Sequence, residues 1–224
     1  MNLPEYELIS RAASRLKPSQ AKNLGWVEEN GASSEVAELY QHFRSRFGRP
    51  DVPGILKCFA THPDLLRHMM DLSESLIFSD GHLSRRHKEM IATLVSSENV
   101  CPYCADSHGY FLRMHGGSAN ALCAIQQDQL DSISLSAPEQ VLLAFAGKIN
   151  RQSHEITRAD IDTLVDSGWS ELQIAEAVHV AALFATFNRV ANAFGLASQG
   201  LLDLLDGEPV NPGNQPCQTK GVPR

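Results

Sequence analysis

An all-α fold is predicted for this chain of 224 residues by three observations. Helix start signals recur along it, and apolar residues repeat at helical spacing between them. No segment sustains the apolar–polar alternation of a half-buried strand. The hydrophobic share, 43%, is ordinary for a globular protein, and the length allows one sizeable core without disulfide or metal support.

Taken in order, residues 1–30 are weakly patterned and are assigned to an N-terminal arm. "SSEVAELYQHFRSRFG" and "THPDLLRHMMDLSESLIF" then read as two helices. In "SRRHKEMIATLVSS", Ser84 is the expected N-cap, and Met90, Ile91, Leu94 and Val95 form one apolar face. "SAPEQVLLAFAGKI" opens on a capping box, in which the Ser136 hydroxyl and the Glu139 carboxylate would satisfy each other's backbone N–H groups. Thr157 and Asp160 repeat the device, and Gly168 ends that helix. Ser170 and Gln173 open a long helix that closes near Gly195. Seven to ten helices with short connections follow, in a single helical domain over 31–205. Asp80-Gly81 lies between two helical patterns and marks no hairpin. From Asp206 onward, Pro, Gly and polar residues predict a flexible tail, 206–224.

The formal net charge of -7 argues against nucleic acid or an anionic membrane as partner, since either would want a basic stripe. The longest apolar run, "AVHVAALFATF", is too short to cross a bilayer. "MNLPEYELISR" lacks the basic-then-apolar order of a secretory signal. Five cysteines without such a signal do not make a secreted disulfide framework, and a reducing cytoplasm is expected.

The chemistry concentrates in "VCPYCADSHGYFLRMHGG". With Cys101 as N-cap and Pro102 as the first helical residue, both Cys101 and Cys104 lie in the first turn. There the unpaired N–H groups and the helix dipole favour thiolate over thiol. A free thiol titrates near pH 8.5, and such a setting brings it to about 7 or lower. The spacing lets one sulfur, once oxidised to sulfenic acid, be captured by the other as a disulfide. No βαβ pattern surrounds the pair, so a thioredoxin-type site is not expected. His108 follows Cys104 by four residues on the same helix face and can take or stabilise its proton. The preceding helix is joined through a short loop at Glu98-Asn99, which implies an antiparallel hairpin with Glu89 level with His108. A relay Glu89–His108–thiols is therefore expected, with Tyr103 assisting. Cys104 is expected to attack first because it shares a face with His108, while Cys101 takes the more exposed cap position.

These residues resemble the carboxymuconolactone decarboxylase superfamily, in its alkylhydroperoxidase D-like and peroxidase-related branch. The pattern is a Glu, eleven residues, then C-x-x-C-x-x-x-H, which here is Glu89, Cys101, Cys104 and His108. The likeness is strongest over 75–125 and continues in "GWSELQIAEAVHVAALFATFNRVANAFGL". Where that branch usually has C-x-H-C, this chain has Tyr103, as the related sestrins do. The resemblance implies an all-α bundle, a homo-oligomer such as a dimer or hexamer, and hydroperoxide reduction by the dithiol without metal or other cofactor. A lipoyl or thioredoxin-like protein would supply electrons. Two other readings use the same residues: a dithiol redox sensor, or a zinc-stabilised module whose fourth ligand would be His82, His87 or His115. His179 on its apolar helix is expected in the core. Cys58, Cys123 and Cys217 are expected to be structural, and Arg189 and Asn192 to line the site or an interface.

Overall fold

The computed structural model describes residues 4–207. Among them are ten α-helices and no strand: α1 (Pro4–Arg11), α2 (Ser34–Phe47), α3 (Gly54–Phe59), α4 (Pro63–Ser73), α5 (Arg85–Glu98), α6 (Pro102–Met114), α7 (Ala119–Gln126), α8 (Ala137–Gln152), α9 (Arg158–Asp166) and α10 (Glu171–Phe194). The all-α expectation holds. Ser84 caps α5, and the boxes at Ser136, Thr157 and Ser170 open α8, α9 and α10. Gly195 ends α10 in the left-handed conformation, at φ 77°. Most of the tail expected over 206–224 lies outside the described residues.

Three elements differ from the expectation. The arm contains α1, whose Tyr6 and Ile9 are buried. α3 is one short helix between Pro53 and the turn before α4, below the length at which periodicity can be read. The helix read through Phe78 stops as α-helix at Ser73 and finishes as a π-turn, Glu74–Phe78. Such turns take an extra residue and recur at functional sites; here Ile77 and Phe78 both face a cavity described below.

α5 is the centre of the molecule. Every residue from Lys88 to Ser96 is buried, with α6, α7, α8 and α10 packed around it. A helix enclosed on all sides is normally apolar, yet this one buries Lys88, Glu89, Thr93 and Ser96, each with a partner. Lys88 Nζ lies 2.8 Å from Glu176 Oε1 of α10 and donates to the Ser79 carbonyl at 3.1 Å. Glu176 Oε2 accepts the Leu83 N–H at 2.7 Å, tying the loop before α5 to α10. Glu176→Ala would strand the Lys88 ammonium, which is 1% exposed. It should cost about 3–5 kcal/mol in denaturant unfolding.

A second apolar cluster, with Tyr40, Phe43, Phe47 and Phe59 at its middle, joins α1–α4 to Tyr110 and Phe111 of α6. These four helices form a roof over the α5–α6 hairpin. α10 has the length and composition of a membrane span, but nine of its residues are buried against its neighbours.

Candidate active site

The turn between α5 and α6 sets the dithiol. Asn99 ends α5, and the Cys101 N–H returns to the Ser96 carbonyl at 2.9 Å. Val100 between them takes φ 49°, a left-handed conformation that costs a β-branched residue about 1–3 kcal/mol. Asparagines hold it in place. Asn192 donates to the Asn99 carbonyl at 3.0 Å, and the Asn99 side chain pairs with Asn150 at 3.0 Å. Cys101 is then the N-cap of α6 and Pro102 its first residue.

Both thiols are free and buried, Cys101 at 1% exposure and Cys104 at 3%. The expectation of a more exposed Cys101 is corrected: the roof and α10 close over it, in a small cluster with Cys58, Tyr103, Ala191 and Leu196. The Cys104 thiol bonds to the Cys101 sulfur and lowers its pKa. Burial opposes this, while the N–H groups of Cys104 and Tyr103 and the Asn188 amide reinforce it. The same shared bond, burial and the neighbouring charge push Cys104 well above the usual thiol range. Within the pair, ionisation is therefore favoured at Cys101 and the proton is kept on Cys104.

Asn188 of α10 is fully buried, 3.0 Å from Ser96 Oγ and 3.1 Å from Asn99 Nδ2. It was not anticipated; its only trace in the sequence is one amide interrupting an apolar stripe. Asn188→Leu should raise the thiolate titration midpoint, followed by thiolate ultraviolet absorbance. It should also lower stability by about 1–3 kcal/mol through the partners it orphans.

Glu89 and His108 meet directly, Oε2 to Nδ1 at 2.6 Å. The Glu89 side chain is entirely buried, and its other oxygen takes Arg85 Nε at 2.6 Å. Burial opposes its ionisation, but the Arg85 and His108 charges outweigh that and hold the carboxyl below its ordinary 4.5. The Arg85 guanidinium lies over Phe78 and Phe111, 4.7 and 5.7 Å from the ring centroids. His108 stands edge-on to Phe184 with ring centroids 4.3 Å apart. With Nδ1 committed to the carboxylate, Nε2 is the nitrogen left for chemistry. No hydrogen bond joins His108 to either thiol among the described residues, so a proton passing between them needs a water or the substrate.

Between the roof and the hairpin lies a cavity of about 380 Å³. Phe43, Phe47, Phe59, Phe78, Phe111 and Phe184 line it, and Cys104 and His108 form part of its wall. Cys101 lies behind that wall. Tyr103 is also in the wall, but its hydroxyl accepts the Ile55 N–H of α3 at 3.4 Å and bonds to neither His108 nor Glu89. Burial raises the phenol further above its usual range, which leaves it no base near neutral pH. One edge of the chamber is fixed by Asp106, whose two carboxylate oxygens accept the Leu201 and Leu202 N–H groups, each at 3.0 Å.

Other expected residues fall elsewhere. His179 is exposed beside Leu183 and Thr186, because α10 turns one face outward. His87 sits against Ser84 and Trp169, and His82 is exposed. Among the described residues no three His, Cys, Asp or Glu side chains converge as metal ligands. Arg189 is exposed, and Asn192 supports the turn. Cys58 packs beside the dithiol, with burial pushing its thiol up to about 12. Arg85, Asn188 and Asp106 carry no motif in the sequence.

Fold and site together define a helical dithiol protein in which one thiol and a carboxylate-held imidazole line an apolar chamber. Residues 63–146 match the carboxymuconolactone decarboxylase family. The chain is similar to the solved structure of a peroxidase-related protein from Silicibacter sp. TM1040. Identity is 29% and the TM-score 0.69, over 80% of this chain and 92% of that one. A second is the alkylhydroperoxidase AhpD core of a peroxidase-related protein from Ralstonia eutropha JMP134, at 24% identity and TM-score 0.69, over 79% and 90%. The debrominase Bmp8, in complex with 2,3,4-tribromopyrrole, shares the fold at 18% identity and TM-score 0.67, over 84% and 98%. A search of curated proteins gives no significant match. The family match over 63–146 and the two peroxidase-related structures support a place for this chain in the carboxymuconolactone decarboxylase/AhpD-like superfamily.

Proposed function

We propose that this protein is an enzyme of the AhpD kind that reduces organic hydroperoxides with its Cys101–Cys104 dithiol. The carrying observation is that Cys104, paired with Cys101 behind it, and His108, paired with the buried Glu89, line the same apolar chamber. Cys104 presents the sulfur at the wall. It attacks the outer peroxide oxygen as its proton passes to the Cys101 thiolate, forming Cys104 sulfenic acid and releasing an alkoxide. His108, held at Nδ1 by Glu89, passes a proton from water through Nε2 to that alkoxide. Cys101 then displaces water from the sulfenic sulfur and closes the disulfide. The sum is one hydroperoxide and two thiols converted to alcohol, water and disulfide.

An external dithiol must reduce the product. Both sulfurs are at most 3% exposed, which favours a slender carrier such as a lipoyl arm over the broad face of a thioredoxin-like protein. The supporting experiment is hydroperoxide consumption with dihydrolipoamide in excess. Many turnovers per protein are expected. Consumption of a single equivalent would transfer the reading to a redox sensor, and none at all would end both. Zinc at the dithiol is checked by metal analysis of the freshly purified protein.

A further inference from the structure

The chamber has polar groups that the proposed chemistry does not use. Arg49 lines it with a side chain only 3% exposed. Its Nε and Nη2 donate to Asp51 at 3.1 and 2.6 Å, and Nη1 has no hydrogen-bond partner among the described residues. The Asp51 side chain is 39% exposed. Water therefore screens the carboxylate while the cation faces a low-dielectric space. Gln199, at 3% exposure, lines the same chamber, and its side-chain amide makes no hydrogen bond among the described residues. Its backbone is held, the carbonyl by the Lys17 N–H at 2.9 Å and the next residues by Asp106. Tyr103 adds a third donor. Its oxygen already accepts from Ile55, so its own hydrogen is available, and the Arg49 charge acts on this phenol.

Buried polar groups left unpaired are costly and uncommon. Two carboxylates also line the chamber, but Asp71 is exposed and Glu74 is paired with Arg46, so its buried polar groups at Arg49, Gln199 and Tyr103 are donors set among aromatic and aliphatic side chains. We infer that the chamber binds a carboxylate-bearing apolar hydroperoxide, the chemistry of a peroxidised fatty acid. The chain lies among the aromatic rings, the carboxylate sits on Arg49 and Gln199, and the O–O group faces Cys104 and His108. This rests on the hydroperoxide reading for the reactive end alone. The volume of about 380 Å³ is within the range that encloses most of a ligand of that size. In this arrangement Tyr103 is a substrate anchor rather than a proton carrier.

Two measurements test the inference. The first uses no turnover: calorimetric binding of dodecanoate and of its methyl ester to the reduced wild-type protein. The acid should bind at least tenfold more tightly, and equal binding overturns the inference. The preference should fall towards unity in Arg49→Met and by a smaller factor in Gln199→Leu, with thermal unfolding checking that each variant folds. A preference that survives intact in folded Arg49→Met overturns the assigned anchor. The second compares kcat/KM for a fatty-acid hydroperoxide and its methyl ester, with the acid favoured chiefly through KM. If neither hydroperoxide is consumed while dodecanoate is still preferred, the reductase reading fails and the carboxylate site stands. If both are consumed equally, the reverse holds.

Discussion

Cys104→Ser should lower kcat/KM for an organic hydroperoxide by on the order of 10³-fold or more, because a serine hydroxyl cannot take the sulfur's place as nucleophile. Cys104 belongs to the chamber wall and Cys101 does not, so the substitution removes the sulfur that a peroxide can touch. Cys101→Ser should behave differently. Its remaining thiol can still attack, giving a burst of at most one equivalent and a sulfenic acid that a dimedone probe traps. Steady turnover should collapse because the resolving sulfur is gone. The contrast also tests the division of labour within the pair. Ionisation is favoured at Cys101, through the Cys104 thiol and the N–H groups at the start of α6. The more basic Cys104 is the better nucleophile once its proton has moved across. A burst in Cys104→Ser and none in Cys101→Ser would reverse the assignment.

Glu89→Gln should cost about 10²-fold in kcat/KM, the lower end of what a positioned acid–base group contributes. The amide keeps the shape but loses the carboxylate that holds His108 by its Nδ1. It also removes the carboxylate from the Arg85 guanidinium, whose side chain is 15% exposed, and stability should fall by about 3 kcal/mol. The pH dependence has a definite sign. The folded pKa of Glu89 lies below 4.5, so its contribution is fully present above that value. It is lost as pH falls through the folded value. The acid limb of the stability curve should therefore flatten in Glu89→Gln. Adding Arg85→Met should restore much of the stability and none of the rate. Recovery of both would make the trio a structural ion cluster with no part in catalysis.

The parts of this molecule that were legible beforehand are those set by local rules. Caps at Ser84, Ser136, Thr157 and Ser170 need only a few neighbouring residues. The Glu89–His108 contact needs only one tight hairpin, whose short loop fixes the level of one helix against the next. What sequence alone did not reveal depends on distant chain segments. Which thiol faces the chamber is decided by a roof from residues 6–78 that carries no motif. Arg49, Asn188 and Gln199 reach the site from opposite ends of the chain. His179 was misplaced for a different reason: α10 is apolar nearly all round, so periodicity could not say which face would be left outside.

The chamber lies along the border of two apolar clusters that share Met69, Phe78, Phe187 and Leu202, and part of its lining lies apart in sequence from the thiols. Arg85, Glu89, Cys101, Cys104 and His108 all fall within the segment that matches the family, 63–146. Phe43, Phe47, Arg49 and Gln199 fall outside it. Mutations that retune what the chamber admits can therefore accumulate in the roof and the segment after α10 while the reacting groups stay untouched. Phe43, Phe47, Arg49 and Gln199 transplanted together from a relative should therefore carry part of its selectivity with them.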